Sequence, residues 1–334
     1  MWFGCGWLGL GFAVLTAGVA SAQPAPDCSR ANTVAEKAIC ADPELAAADA
    51  AMAQAYASLR EVLPPDQQPA LLADQRQWVG LRDGICSVVE GRENSRCLRN
   101  VTEKRRRLLA GEGPEGAADA PRLLPAFFRD ARKGHYEISV AYPRLGGNVA
   151  PPVAAAFDQA VRDIVLRAKV VAEYRGLPPP RNPTSLNSYN VTYDITYIDP
   201  RLASVTFAIS TYSGGAHPNS EHTNLVFDLV AGRRLSLADI VAVPPQAVEV
   251  VSSMCRNQLA EKAAKGRWEL FSDADFPAVV GEIGNWAPDK DGVTILFNPY
   301  SVAAYVVGLQ DCRLSYAELA PLLKPGGPLP PRQS

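Results

Sequence analysis

Residues 27–49 read DCSRANTVAEKAICADPELAAAD. Cys28 and Cys40 bracket a helix-entry signal: Asn32 or Thr33 offers a capping side chain, and Glu36 follows at capping-box spacing. Asp42-Pro43 opens a second helix with proline at its first position, where the missing N–H wastes no donor. Leu45, Ala48, Met52, Tyr56, Leu59 and Leu63 then recur along one helical face until Pro64-Pro65 stops the run. A further helix over about 67–85 carries Leu71, Leu72, Trp78 and Ile85. The short Pro-Pro turn predicts an antiparallel hairpin. That geometry brings Cys86 to Cys40 and leaves Cys28 for Cys97, while the sequence leaves the other two pairings open. A third helix at about 95–110 ends in Lys104-Arg105-Arg106-Arg107, a solvated basic end that suits the C-terminus of the helix dipole. The stretch reads as a disulfide-stapled helical module.

Such a module belongs in an oxidising compartment. Residues 1–22 form an apolar run ending in Ala-Ser-Ala, which reads as a signal peptide cleaved near Ala22. A retained transmembrane anchor is the alternative, since the run is nearly long enough to span. Cys5 precedes the run and does not resemble a lipoprotein attachment cysteine. The expected location is periplasmic or secreted, with no stable membrane insertion once the signal is removed. A formal charge of −2 gives no reason to expect nucleic acid or an anionic membrane as partner. The mature chain keeps six cysteines, Cys28, Cys40, Cys86, Cys97, Cys255 and Cys312, an even set that implies disulfides. No pair has the close spacing of a zinc knuckle, so neither a metal nor a cofactor is expected.

Asp27-Cys28, Glu36-Lys37-Ala38-Ile39-Cys40 and Pro43-Glu44-Leu45, followed by Gln75-Arg76-Gln77-Trp78, Arg82-Asp83, Cys86 and Cys97-Leu98, resemble the LprI-type lysozyme-inhibitor domain over about 27–110. The resemblance implies an extracytoplasmic protein, some of whose relatives inhibit c-type lysozyme. Residues 23–111 hold twelve acidic and twelve basic side chains, so the module has no electrostatic pull on a basic enzyme. Trp78 and Arg82, one turn apart, form a candidate recognition pair. The plainer reading puts Trp78 in the hairpin core and pairs Arg82 with Asp83 or Glu44.

Residues 111–121, GEGPEGAADAP, read as a flexible tether, and 325–334, PGGPLPPRQS, as a disordered tail. Between them, 122–324 predicts a strand at 136–143, a helix over 151–174 and a hairpin of strands 187–198 and 202–213. A strand at 222–229, helices at 236–241, 245–264 and 273–281, strands at 292–297 and 303–309, and a short helix at 315–322 complete it. Elements come in blocks, so the fold class is α+β: a small helical domain, then an α+β domain with a mainly antiparallel sheet. Cys255 and Cys312 are expected to pair.

The segment 211–240, TYSGGAHPNSEHTNLVFDLVAGRRLSLADI, and the later FNPYSVAAYVVG resemble the domain of unknown function DUF3298, found in the lysozyme-sensing anti-sigma factor RsiV and beside deacetylases such as PdaC. The resemblance implies an extracytoplasmic binding domain; no deacetylase domain of the NodB type is present to carry that chemistry over. The candidate partner-binding loop is Tyr212, Ser213, Gly214, Gly215, His217, Pro218 and Asn219. Paired glycines expose backbone N–H groups, while Tyr212 and His217 offer stacking and a hydrogen bond. No GxSxG elbow frames Ser213, so a serine nucleophile is not indicated. His217, Glu221 and His222 lack the spacing of a helical zinc pair. Asn298-Pro299-Tyr300 reads as a turn with Tyr300 partly buried. Two modules that each resemble families with lysozyme-binding members point to a non-enzymatic protein that occludes lysozyme or another muralytic enzyme. A binder or sensor of peptidoglycan fragments is the alternative.

Overall fold

The computed structural model describes residues 28–330 except 88–90, 115–119 and 181–185. The expected signal peptide and Cys5 lie outside the described residues. The opening stretch folds as its caps dictate. Helix α1 (Val34–Ala41) starts at Thr33, whose hydroxyl accepts from the Glu36 amide while Glu36 accepts from the Thr33 amide at 2.9 Å. Asp42 caps α2 (Pro43–Val62) by accepting from the Glu44 and Leu45 amides. Helix α3 (Gln68–Cys86) runs back along α2, with Arg82 meeting Asp49 and Gln75 meeting Met52. The closest neighbour of α2 is nevertheless α4 (Gly91–Ala110), and long side chains bridge the wider α2–α3 seam.

The disulfides correct the sequence reading. Cys28 bonds Cys40 and Cys86 bonds Cys97, with Cα separations of 5.7 and 5.6 Å. Cys86 does return to the first helices as an antiparallel hairpin requires, in a small core with Ala35, Ile39, Leu45 and Leu98. Each cysteine finds its partner across the nearest chain reversal instead of across the hairpin. Cys255 and Cys312 pair as expected.

The larger part holds a six-stranded sheet in the order β1 (Arg122–Arg132), β2 (Tyr136–Gly146), β3 (Asn187–Ile198), β4 (Leu202–Tyr212), β5 (Asn219–Asp228) and β6 (Arg233–Arg234). All its ladders are antiparallel except β2–β3, which pair in parallel from Tyr136↔Asn187 to Val140↔Val191. A parallel pair needs a crossover. Here it is α5 (Pro151–Val165) and α6 (Ala168–Gly176), which replace the single helix expected over 151–174. Helices α7 (Leu237–Ile240), α8 (Pro244–Gly266) and α9 (Phe276–Gly281) follow. A second sheet of β7 (Trp286–Pro288), β8 (Gly292–Phe297) and β9 (Gln310–Ser315) precedes α10 (Tyr316–Leu319). The strand expected at 303–309 is a loop with one 3-10 turn, because Val302 and Ala303 are buried side by side and break the in–out alternation. The fold class is α+β, with mainly antiparallel pairing.

Two cores divide this domain. Val205, Phe207, Ile209, Leu225 and Phe227 enter the first, against Phe157 and Val161 of α5. Leu202 and Val226 turn into the second, with Trp286, Ile295, Leu314 and Val251. The helical module joins the first core through Met52, Leu59, Leu71 and Leu109. The Phe127 amide donates to Gln67 across the seam at 3.1 Å, and Lys104 pairs with Asp194 at 2.6 Å. The stretch read as a tether therefore joins two bodies already in contact. Within the stretch read as a tail Leu329 is buried in the second core, and residues 331–334 lie outside the described residues.

Candidate functional site

The β4–β5 hairpin ends in an exposed tip, 213–219. Gly214 and Gly215 hold φ of 105° and 111°, conformations open to glycine at little cost. Nothing stands within 4 Å of a Cβ at either position, so backbone geometry and not crowding calls for glycine there. The Tyr212 hydroxyl donates to the Gly215 carbonyl at 3.1 Å and closes the turn. His217 lies flat on Tyr305, with ring centroids 3.8 Å apart and planes 15° from parallel. Its Nδ1 donates to the Pro218 carbonyl at 2.9 Å, and the Tyr305 hydroxyl donates to the same oxygen.

Tyr305 comes from the loop 298–307 between β8 and β9, so two stretches far apart in sequence build one surface. A second clasp reinforces the stack. The Asn298 side chain accepts from the His222 amide at 2.6 Å and donates to the His222 carbonyl at 2.9 Å. Between the two clasps stands Tyr300, at φ 70° and 58% exposed, its ring 5.4 Å from that of Tyr305. Tyr300 was expected to be partly buried; the loop instead buries Val302 and Ala303 and leaves Tyr300 at its crest. Val306 is 91% exposed beside it in sequence. Within 212–222 and 298–308 the single charged residue is Glu221. Burial holds the His222 imidazole below the ordinary histidine range, so it is neutral at neutral pH. The surface is aromatic, polar and almost uncharged.

Sequence reasoning found the hairpin tip and missed what it rests on. Tyr305 gave no periodic signal, and reading Asn298-Pro299-Tyr300 as a turn did not place Asn298 against His222. No hydrogen bond joins Ser213 to His217 among the described residues, and His217 is engaged with Pro218 and Tyr305. No group of three or more His, Cys, Asp or Glu side chains there is placed to hold a metal. No described helix is long and apolar enough to cross a membrane.

The second candidate pair belongs to the module's framework. Arg82 is buried, pairs with Asp49 and Asp83 at 2.9 Å each, and stands 5.0 Å over the half-buried Trp78 ring. Of the two partners expected for Arg82, Asp83 is present, while Glu44 pairs with Arg99. Arg105 lies 5.5 Å from the same Trp78 ring and pairs with Asp74 at 2.5 Å. The rest of the basic run is also paired: Lys104 with Asp194, Arg106 with Glu103 and Glu112, Arg107 with Glu103. Open concavities of about 970 and 340 Å³ lie, the first on the helical module beside Val34, Asp42 and Arg99, the second between that module and β3 beside Glu103, Lys104 and Asp194. Neither touches the hairpin tip.

Comparison with known proteins assigns each part. Residues 27–109 match the family described as Lysozyme inhibitor LprI, 131–220 that described as Deacetylase PdaC, and 238–317 that described as Protein of unknown function (DUF3298). The domain read as one DUF3298 unit over 122–324 is thus spanned by two family models, which divide close to the boundary between its two cores. An uncharacterized protein of Rhizobium meliloti (strain 1021) is 31% identical over 112 residues, covering 27% of this chain and 81% of that one. Crystal structures of DUF3298 family proteins from Bacteroides fragilis and Pseudomonas aeruginosa align at 18% and 15% identity. They cover 60% and 61% of this chain and 94% of each of theirs, with TM-scores of 0.48 and 0.42. The class is a two-part α+β protein, a disulfide-bridged helical module docked on a two-sheet domain. The chain carries an LprI domain in its first part and a DUF3298 domain in its last, in that order.

Proposed function

We propose that this protein acts outside the cytoplasm, in the periplasm or after secretion, as a non-enzymatic inhibitor of lysozyme or a related muralytic enzyme. The match of residues 27–109 to the LprI lysozyme-inhibitor family carries this reading. The geometry suggests where contact is made. Tyr212, Ser213, Gly214, Gly215, His217, Pro218 and Asn219, backed by Tyr305 and crested by Tyr300, form an uncharged aromatic prominence fixed at two points. An element of that kind fits a cleft built for neutral sugar rings and excludes substrate by occupying it, with no covalent step. Trp78 and Arg82 are the weaker site, since their polar and aromatic groups already bond within the module.

One observation favours a second reading. The exposed rings of Tyr300 and His217, backed by the half-buried Tyr212 and Tyr305 and almost without charge, also suit stacking against a sugar directly, which makes a binder or sensor of peptidoglycan fragments the alternative. Calorimetry of the oxidised mature protein with c-, g- and i-type lysozymes, beside a turbidity assay of wall lysis, separates the two. Binding to one class with loss of lysis is expected. Binding of muropeptides with none of the three lysozymes bound replaces the first reading by the second.

A further inference from the structure

The loop 298–307 leaves β8 at Phe297 and pairs with no strand until Gln310, yet it carries the exposed Tyr300 of the candidate surface. Something other than a ladder must hold it. Its far half is anchored by burial of Val302 and Ala303, by the Phe271 amide donating to the Val302 carbonyl at 2.8 Å, and by the His217–Tyr305 stack. Its near half has one fixed point, the Asn298 side chain.

That side chain does what a neighbouring strand would do. His222 sits on β5 opposite Ala208, and both of its main-chain groups go to the Asn298 carboxamide. A planar group with a donor and an acceptor side by side is required, and among short side chains asparagine alone supplies it. The Asn298 carbonyl then accepts from the Ser301 amide at 2.9 Å, closing the turn that places Tyr300 at φ 70°. This backbone conformation costs energy in a tyrosine and persists where the surroundings impose it.

We propose that Asn298 is the positioning residue of the recognition surface: its clasp on His222 sets Tyr300 in the orientation that meets the partner. This rests on the reading that the surface engages a lysozyme. Asn298→Ala removes both the acceptor for the His222 amide and the donor to the His222 carbonyl. Two readouts test it on the full oxidised chain. Amide exchange at His222 should rise in N298A while that at Leu225, deeper in the same strand, stays as in the parent protein. Affinity for the lysozyme class that the parent protein binds should fall on the order of tenfold or more. In a Tyr300→Ala background the same substitution should cost nothing further, because residues acting through one contact are not additive. N298S carries the same comparison if N298A does not fold.

Unchanged His222 exchange, or a loss of affinity that persists in full without Tyr300, overturns the proposal. Absence of any lysozyme binding by the parent protein overturns the functional reading instead, and the exchange comparison then decides whether the clasp exists.

Discussion

Arg105→Met probes the framework of the helical module most directly. The Arg105 and Asp74 side chains are 5% and 7% exposed and meet at 2.5 Å, and Gln75 accepts two further bonds from the same guanidinium at 3.0 and 2.8 Å. Methionine replaces the aliphatic stem and removes the charge, which strands a carboxylate away from water. Breaking a buried pair from one side costs about 3–5 kcal/mol, whereas replacing both partners with groups of similar shape is often close to neutral. For a chain of this size the single change corresponds to a fall in Tm on the order of 10 °C. Urea unfolding followed by circular dichroism measures it, with the double variant D74L/R105M alongside. The single variant should be the less stable of the two. A loss under about 1 kcal/mol, or a double variant worse than the single, would show that the pair is not the buried, desolvated contact described above.

Other expectations follow from the same structure. Removing the Cys255–Cys312 bridge as C255S/C312S should cost about 4 kcal/mol against about 3 for C28S/C40S, since the closed loops differ, 57 against 12 in sequence separation; thermal melts that rank them the other way refute the entropic account. Three helix caps should make the fold acid-sensitive. Glu36 is held below its ordinary range by the Thr33 and Asn32 amides, Asp239 by Arg233 and Ser236, and Glu318 by Ser315. Depressed folded values mean that this stabilisation is complete above the ordinary carboxylate range near about pH 4 and is lost as pH falls through the folded values. Tm against pH should therefore drop below about pH 4, with a shallower slope in the triple variant E36Q/D239N/E318Q. For binding, Y300A should weaken a lysozyme complex at least about tenfold while leaving Tm nearly unchanged, as expected for an exposed aromatic anchor. Raising salt from about 50 to 500 mM should change that affinity by less than about threefold, because the surface bears almost no charge. A steep salt dependence measured by calorimetry would move the interface elsewhere.

Local signals were readable in the sequence wherever chemistry acts over a few residues. The Thr33–Glu36 box, the Asp42-Pro43 entry and the Pro64-Pro65 stop all appear where their side chains place them. Strand β1 escaped notice because RLLPAFFRDAR carries a proline and charged ends; it exists through pairing with β2 around Gly134. The disulfides were misassigned although the corner that gathers them was right, since proximity within one corner does not choose among four thiols. For the candidate surface, the paired glycines betrayed the hairpin tip. Its support by Asn298 and Tyr305 is a long-range fact that no local pattern encodes.

The order of the bridges has a consequence for biogenesis. Each of the six bonded cysteines is joined to the next bonded one along the chain: 28 to 40, 86 to 97, 255 to 312. A chain emerging N-terminus first presents them to an oxidant two at a time, so each thiolate meets its native partner before a competitor arrives. Crossed pairing of 40 with 86 would instead have required the first thiol to wait, or a wrong bond to be undone by exchange. Oxidation in order of emergence yields the native set directly, and maturation should proceed with a dithiol oxidase and without a disulfide isomerase.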